Sequence, residues 1–253
     1  MTEQPDNPTP ESNEPESPKP RSRGIYLLPN LFTTGALFSG FYAVIASMNG
    51  HFENAAIAIF VAMVLDGLDG RVARMTNTSS AFGAEYDSLS DMVSFGVAPS
   101  LVAFNWVLSD IGKLGWFAAF IYVAGAALRL ARFNTQIGSV DKRYFIGLPS
   151  PAAAASVAGM VWAAVEYDVD GGPYAYLIAL FVAAVGLLMV SNVLYYSFKD
   201  VDFKGKVPFI ILAAIVLGLA VISISPPTFL WLLLLGYALS GPMLWVLRKR
   251  KKI

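Results

Sequence analysis

Runs of roughly 17 to 23 apolar residues recur from residue 27 onward, and a run of that length crosses the hydrocarbon layer of a membrane as one helix. A backbone in lipid has no water to bond, which confines such segments to helices that satisfy their own amide groups. The runs fall at about 27 to 48, 53 to 75, 86 to 108, 115 to 134, 149 to 167, 174 to 196, 207 to 224 and 228 to 247. The expected fold is therefore all-α, a polytopic transmembrane helical bundle of eight spans. Composition agrees: 56% hydrophobic and 14% charged residues with a mean hydropathy of +0.57 exclude an ordinary soluble domain.

Residues 1 to 24 read differently, being rich in proline and acids with no apolar run, so a disordered cytoplasmic tail is expected there. Glu3 and Asp6 stand where a signal peptide would be basic. An even number of spans places both termini on one side, and Lys and Arg decide which side. Of the 18 Lys and Arg residues, Lys113 alone falls opposite the rest when the spans are drawn as above. The others precede the first span (Lys19, Arg21, Arg23), end the second (Arg71, Arg74), flank the loop after the fourth (Arg129, Arg132, Lys142, Arg143), follow the sixth (Lys199, Lys204, Lys206) or close the chain (Arg248 to Lys252). The expectation is an inner-membrane protein with both termini cytoplasmic, and with 49 to 52 and 109 to 114 external. Cysteine is absent, which excludes disulfides and thiol catalysis. The basic residues are spread over separate loops, a pattern that attracts anionic membrane lipids and gives no sign of nucleic-acid recognition.

Four carboxylates interrupt this apolar chain, and each is costly enough in a membrane that a functional site is the default reading. Asp66 and Asp69, at i and i+3, share a helix face with Gly70 and Ala73; Gly83, Asp87 and Asp91, at i and i+4, form a stripe on the next helix. Two such helices facing each other would gather four like charges, and the usual compensation is a divalent cation. Oxygen donors without His or Cys favour Mg²⁺ or Mn²⁺. Gly70 and Ala73 leave room for a bulky ligand beside the helix, and Arg74 offers a donor fork suited to phosphate. Arg71 and Arg74 are the basic groups expected beside the acids.

Asp66, Asp69, Gly70, Ala73, Arg74, Gly83, Asp87 and Asp91 meet every fixed position of the pattern D-x2-D-G-x2-A-R-x8-G-x3-D-x3-D, so the chain resembles the CDP-alcohol phosphatidyltransferases. Five further segments resemble the integral-membrane branch of that family whose acceptor is serine: Leu28 to Thr34, Ser94 to Pro99, Arg129 to Asn134, Phe145 to Pro151, and Ser191 to Lys199. The likeness covers roughly residues 25 to 210. It implies a six-span core at 25 to 205, with 206 to 253 as two additional spans and a basic cytoplasmic end. It also implies two divalent ions held by Asp66, Asp69, Asp87 and Asp91, with Asp91 acting besides as general base. The donor would be CDP-diacylglycerol, with Gly70, Ala73, Arg74 and Gly83 lining its nucleotide pocket. The acceptor would be L-serine, the products phosphatidylserine and CMP, and the assembly a homodimer.

Serine brings a carboxylate to an acidic site, and its recognition needs cations that the metal acids do not consume. Arg129 and Arg132, at i and i+3, read as a bidentate carboxylate clamp, ahead of the plainer role of interface anchors. Lys142 and Arg143 read as anchors or lipid contacts. Asn30, Thr33 and Thr34 suit either cytidine and ribose contacts or helix packing. Gly35, Gly40, Gly125, Gly186 and Gly218 are expected at close helix contacts, His51 in a solvated external turn, and Glu85 beside the site but off the acidic stripe. Two other readings remain open at this level. A phosphorylated acceptor would give phosphatidylglycerophosphate or phosphatidylinositol-phosphate synthesis. An ion-coupled transporter would need related halves, and no second acidic cluster or repeat is present.

Overall fold

The computed structural model describes residues 27–76, 78, 80–135, 144–197 and 209–250. The expected tail, the loop residues Lys142 and Arg143, and Lys199, Lys204 and Lys206 lie outside the described residues. Each apolar run becomes a helix: α1 (Leu27–Met48), α2 (Phe52–Thr76), α3 (Ala81–Asp91) continuing into α4 (Ala98–Trp106), α5 (Lys113–Thr135), α6 (Ser150–Glu166), α7 (Ala175–Val190), α8 (Phe209–Ile224) and α9 (Pro226–Arg250). The all-α polytopic architecture follows, and the protein is an integral membrane protein.

Small side chains set the spacing of the helices. Ala36, Ala43 and Ala46 of α1 bury against a core shared with Ala55, Ala56, Ala58 and Ala62 of α2, so the two backbones approach closely. In α5 and α7, a Cβ added at Gly125 would run into the Gly186 carbonyl, and one added at Gly186 would lie 2.7 Å from Tyr122 Cα. At Gly40 an added Cβ would lie 2.7 Å from Ser94 Cα, and at Gly35 it would meet the Leu65 side chain at 3.2 Å. These four match the packing role expected of them. Among the described residues nothing lies within 4 Å of the position a Cβ on Gly218 would take, so no such contact is seen there.

Two local departures from the expected spans shape the site. The third span begins at Ala81, earlier than the apolar run, because the Ser80 hydroxyl caps α3 by accepting from the Gly83 amide at 3.0 Å. Within the same span, Met92–Val97 widens into a π turn in which the Ala98 amide reaches back to the Val93 carbonyl. Such turns occur mostly as single wide turns inside α-helices, often beside a functional site. Here Ser90 and Ser94 donate to the Thr33 and Ala36 carbonyls at 3.1 and 3.0 Å, and Tyr122 donates to the Phe95 carbonyl at 3.0 Å. These bonds hold the segment after Asp91 against α1 and α5.

The sixth span corrects its expected end. α7 stops at Val190, not near 196, and residues beyond it form strand β2 (Leu194–Tyr196), antiparallel to β1 (Tyr144–Ile146). Tyr195 pairs with Phe145 at the centre of this ladder. Gly147, at φ +78, then turns the chain so that its amide donates to the Val193 carbonyl at 2.8 Å and α6 starts at Ser150. The expected span ran on through Ser191 and Asn192 to Leu194, Tyr195 and Tyr196, whose pairing with β1 is a contact that hydropathy along one segment does not carry. At the opposite end of the bundle, His51 is exposed in the turn between α1 and α2, as expected.

Candidate active site

α2 and α3 face each other near their shared connection, and this brings the acids together as the helical spacing requires. Carboxylate oxygens of Asp66, Asp69 and Asp87 lie within 4.8 Å of one another. Asp69 is the most enclosed at 6% exposure, and Thr33 of α1 donates to its Oδ2 at 2.7 Å. Thr33 therefore serves both as a helix-to-helix contact and as a support for the acidic cluster. Asp91 sits one turn deeper, against Asp66 and Asp87.

The group has the character of a cation site. Three clustered carboxylates repel one another in a poorly solvated setting, and Asp87 Oδ1 is buried without a hydrogen-bond partner. A hard divalent ion would supply that partner and the missing charge, and an all-oxygen donor set fits Mg²⁺ or Mn²⁺. The residues present thus fit the metal that the spacing of the acids implied.

Beside the acids opens a cavity of about 200 Å³. Asn30, Thr33, Gly70, Ala73, Arg74 and Gly83, all singled out from the sequence, line it together with Asp69 and Asp87. Arg74 is exposed and folds over Gly70, where an added Cβ would sit 3.4 Å from its Nη1. Pro29, Thr78, Ser80 and Ala84 complete the lining; sequence reasoning missed these, although the capping position of Ser80 was legible in Ser-x-x-Gly before a helix. Thr34 turns away to its own helix, donating to the Asn30 carbonyl at 2.7 Å, and lies 3.0 Å from the Tyr86 hydroxyl. Glu85 is exposed and outside the cluster, consistent with its place off the stripe.

On the other side of Asp91 stands a cation that spacing along the helices could not reveal. Arg129 of α5 lies within electrostatic reach of Asp91, as Arg74 does of Asp69, so the basic groups near the acids do not come from α2 alone, and Arg71, expected beside them, is exposed. Arg129 Nη1 donates to the Ser150 hydroxyl at 2.9 Å, at the first turn of α6, while its Nε is buried without a hydrogen-bond partner. Arg132 looks elsewhere: its Nη1 lies 3.4 Å from both the Ser191 carbonyl and Asn192 Oδ1, past the end of α7. The two arginines therefore do not share one set of partners. Asn134, near the end of α5, bonds Ser88 at 3.0 Å and ties that helix to α3.

The comparisons agree with this geometry. The model of the CDP-alcohol phosphatidyltransferase family matches residues 26–191, which include all four acids, Arg129 and Ser150. Among curated proteins, a CDP-diacylglycerol--serine O-phosphatidyltransferase of Helicobacter pylori is 38% identical over 222 residues, covering 88% of this chain and 92% of its own. A protein of the same name from Methanocaldococcus jannaschii is 37% identical over 188 residues, 74% of this chain and 82% of its own. One from Mycobacterium leprae is 31% identical over 228 residues, 87% of this chain and 75% of its own. The chain, with its paired acids on α2 and α3 and the cavity beside them, belongs to the CDP-alcohol phosphatidyltransferase family.

Proposed function

We propose that this protein transfers the phosphatidyl group of CDP-diacylglycerol to the hydroxyl of L-serine, giving phosphatidylserine and CMP. The observation that carries the acceptor is the Arg129 guanidinium within electrostatic reach of Asp91, which joins the acids beside the cavity; its buried Nε has no hydrogen-bond partner among the described residues. The names of the relatives point to the same donor and acceptor.

The chain's own groups divide the work. At about 200 Å³ the cavity is smaller than the roughly 300 to 1,000 Å³ that engulf a drug-sized ligand, so it takes the head group and leaves the acyl chains in the bilayer. Gly70, Ala73 and Gly83 give the nucleotide room, Arg74 meets phosphate, and Asn30 with Thr33 forms the wall nearest α1. Asp66, Asp69 and Asp87, with Asp91, would hold the two divalent ions, Mg²⁺ or Mn²⁺, that the family resemblance implies. When bound, these neutralise the pyrophosphate and stabilise charge developing on its oxygens. Arg129 takes the serine carboxylate at the N-terminal end of α6, the end of a helix that favours negative charge. Arg132 adds positive charge and braces the Ser191–Asn192 turn. Asp91 accepts the serine hydroxyl proton as the oxygen attacks the β-phosphorus; the new P–O bond forms as the bond to CMP breaks, and CMP leaves with the electron pair.

Arg129→Lys tests the acceptor assignment. The charge survives but the planar fork is lost, so the serine KM should rise about tenfold or more, the scale of one charge-assisted contact, with little change in the KM for CDP-diacylglycerol. A wild-type serine KM would return Arg129 to an anchoring role. Wild-type protein that releases CMP with glycerol 3-phosphate and not with serine would overturn the acceptor itself.

The active site is placed on the cytoplasmic side of the inner membrane, where serine and CMP exchange with water, and the protein acts as a homodimer. The charge pattern of the loops supports this orientation. Because the chain has no cysteine, single cysteines can be introduced at the exposed positions Ala81 and Asp110. A membrane-impermeant thiol reagent added to sealed inverted vesicles should label Ala81→Cys and spare Asp110→Cys. Equal labelling of both from one face is the outcome that refutes the topology.

A further inference from the structure

Pro99 breaks the hydrogen-bond ladder of the third span a short way past Asp91. In an unbroken α-helix the amide of residue 99 would donate to the Phe95 carbonyl. Proline has no amide hydrogen, and its ring collides with the carbonyl four residues back. The chain accommodates this by widening Met92–Val97 into the π turn, where the Ala98 amide reaches past Ser94 to the Val93 carbonyl. The Phe95 carbonyl thereby loses the donor that an α-helix gives it, in a residue that is fully buried. A buried carbonyl needs a partner, and Tyr122 of α5 supplies one. Its side chain is fully buried too, and its hydroxyl donates to the Phe95 carbonyl at 3.0 Å.

The extra residue in the turn changes the phase of the helix before it. Along a straight α-helix Asp91, Ala98 and Val102, at i, i+7 and i+11, would share one face. Ala98 and Val102 are fully buried in the apolar core formed with α1, α2 and α6. One inserted residue turns α3 by about 100° relative to α4. Asp91 therefore leaves the apolar stripe and joins Asp66 and Asp87. The turn is held from two sides. Ser90 and Ser94 donate to the Thr33 and Ala36 carbonyls of α1, with Gly40 admitting Ser94 at close approach, and Tyr122 holds the α5 side.

We infer that this π turn sets the register of the reaction and that Tyr122 is a positioning residue, latching the wide turn so that Asp91 faces the other acids. Pro99 opens the turn and the phenol of Tyr122 keeps it open. The inference rests on the proposed reading of Asp91 as the base.

Tyr122→Phe keeps the ring in its packing and removes only the hydroxyl. In purified full-length protein at saturating metal, kcat should fall about tenfold or more, within the range that a displaced catalytic group costs, while the KM values for CDP-diacylglycerol and serine stay within about twofold of wild type. The thermal midpoint should fall as well, because a buried carbonyl has lost its partner. Adding Pro99→Ala separates position from stability. The alanine amide offers the Phe95 carbonyl its missing α-helical bond, so the midpoint should recover toward wild type. That bond closes the wide turn, so kcat should stay at or below that of Tyr122→Phe alone. Recovery of kcat together with the midpoint would make Tyr122 a purely structural residue and overturn the inference, and so would a Tyr122→Phe enzyme with wild-type kcat. If Asp91→Asn itself releases CMP at the wild-type rate, the reading of Asp91 as the base is what fails.

Discussion

Asp91→Asn should slow turnover by about two orders of magnitude or more, the usual worth of a positioned base, while CDP-diacylglycerol still binds in part. The substitution preserves shape and keeps one oxygen toward Asp66 and Asp87, but an amide takes no proton from an attacking hydroxyl. Its neighbours suit the position to that task. Asp66 and Asp87 join it to the acidic cluster, and Arg129, proposed above as the partner of the acceptor carboxylate, lies within electrostatic reach. Single-turnover release of CMP from a preformed donor complex isolates the step from donor binding. Near-normal release would remove Asp91 from the base role and leave it a ligand or a structural acid.

Stripping divalent ions should abolish activity altogether, and added Mg²⁺ or Mn²⁺ should restore it. Asp66, Asp69 and Asp87 hold their oxygens within 4.8 Å of one another, with Asp91 against Asp66 and Asp87, a hydroxyl from Thr33 on Asp69 and the positive charge of Arg74 within electrostatic reach of Asp69. None of these neutralises a pyrophosphate. Purified protein treated with excess chelator, then titrated with each metal, reads the dependence directly; Asp87→Asn should shift the metal concentration needed for half activity upward. Full activity in excess chelator contradicts the site.

Much of the architecture was legible from local pattern. The helix boundaries at 48, 76 and 135 fall within two residues of the apolar runs, because a segment long enough to span lipid has to close its own hydrogen bonds whatever it packs against. The cavity lining was readable at Gly70, Ala73, Arg74 and Gly83 because the resemblance to the family implies it and because Gly70, Ala73 and Gly83 share helix faces with the acids; Asn30 and Thr33, on α1, suited packing as well as a ligand. Where the reading failed, the determinant was a partner. α7 ends at Val190 because β2 finds β1, and hydropathy does not register a pairing. Arg129 and Arg132 looked like one clamp from their spacing, but Ser150 holds one and the Ser191–Asn192 turn holds the other.

By itself the sequence determined a helical membrane protein with four acids presented from two adjoining helices. Hydrophobic length and the 3.6-residue period act within a single segment, so they need no knowledge of its neighbours. Only the tertiary structure decided that a cavity opens beside Asp69 and Asp87, that Asp91 joins Asp66 and Asp87 with Arg129 within electrostatic reach, and that Ser150 anchors that arginine. Those relations join side chains from α1, α2, α3, α5 and α6, and they depend on close approaches such as Gly40 to Ser94 and Gly125 to Gly186. The choice of partner at each approach is made by shape and hydrogen bonding between helices, which no single segment encodes.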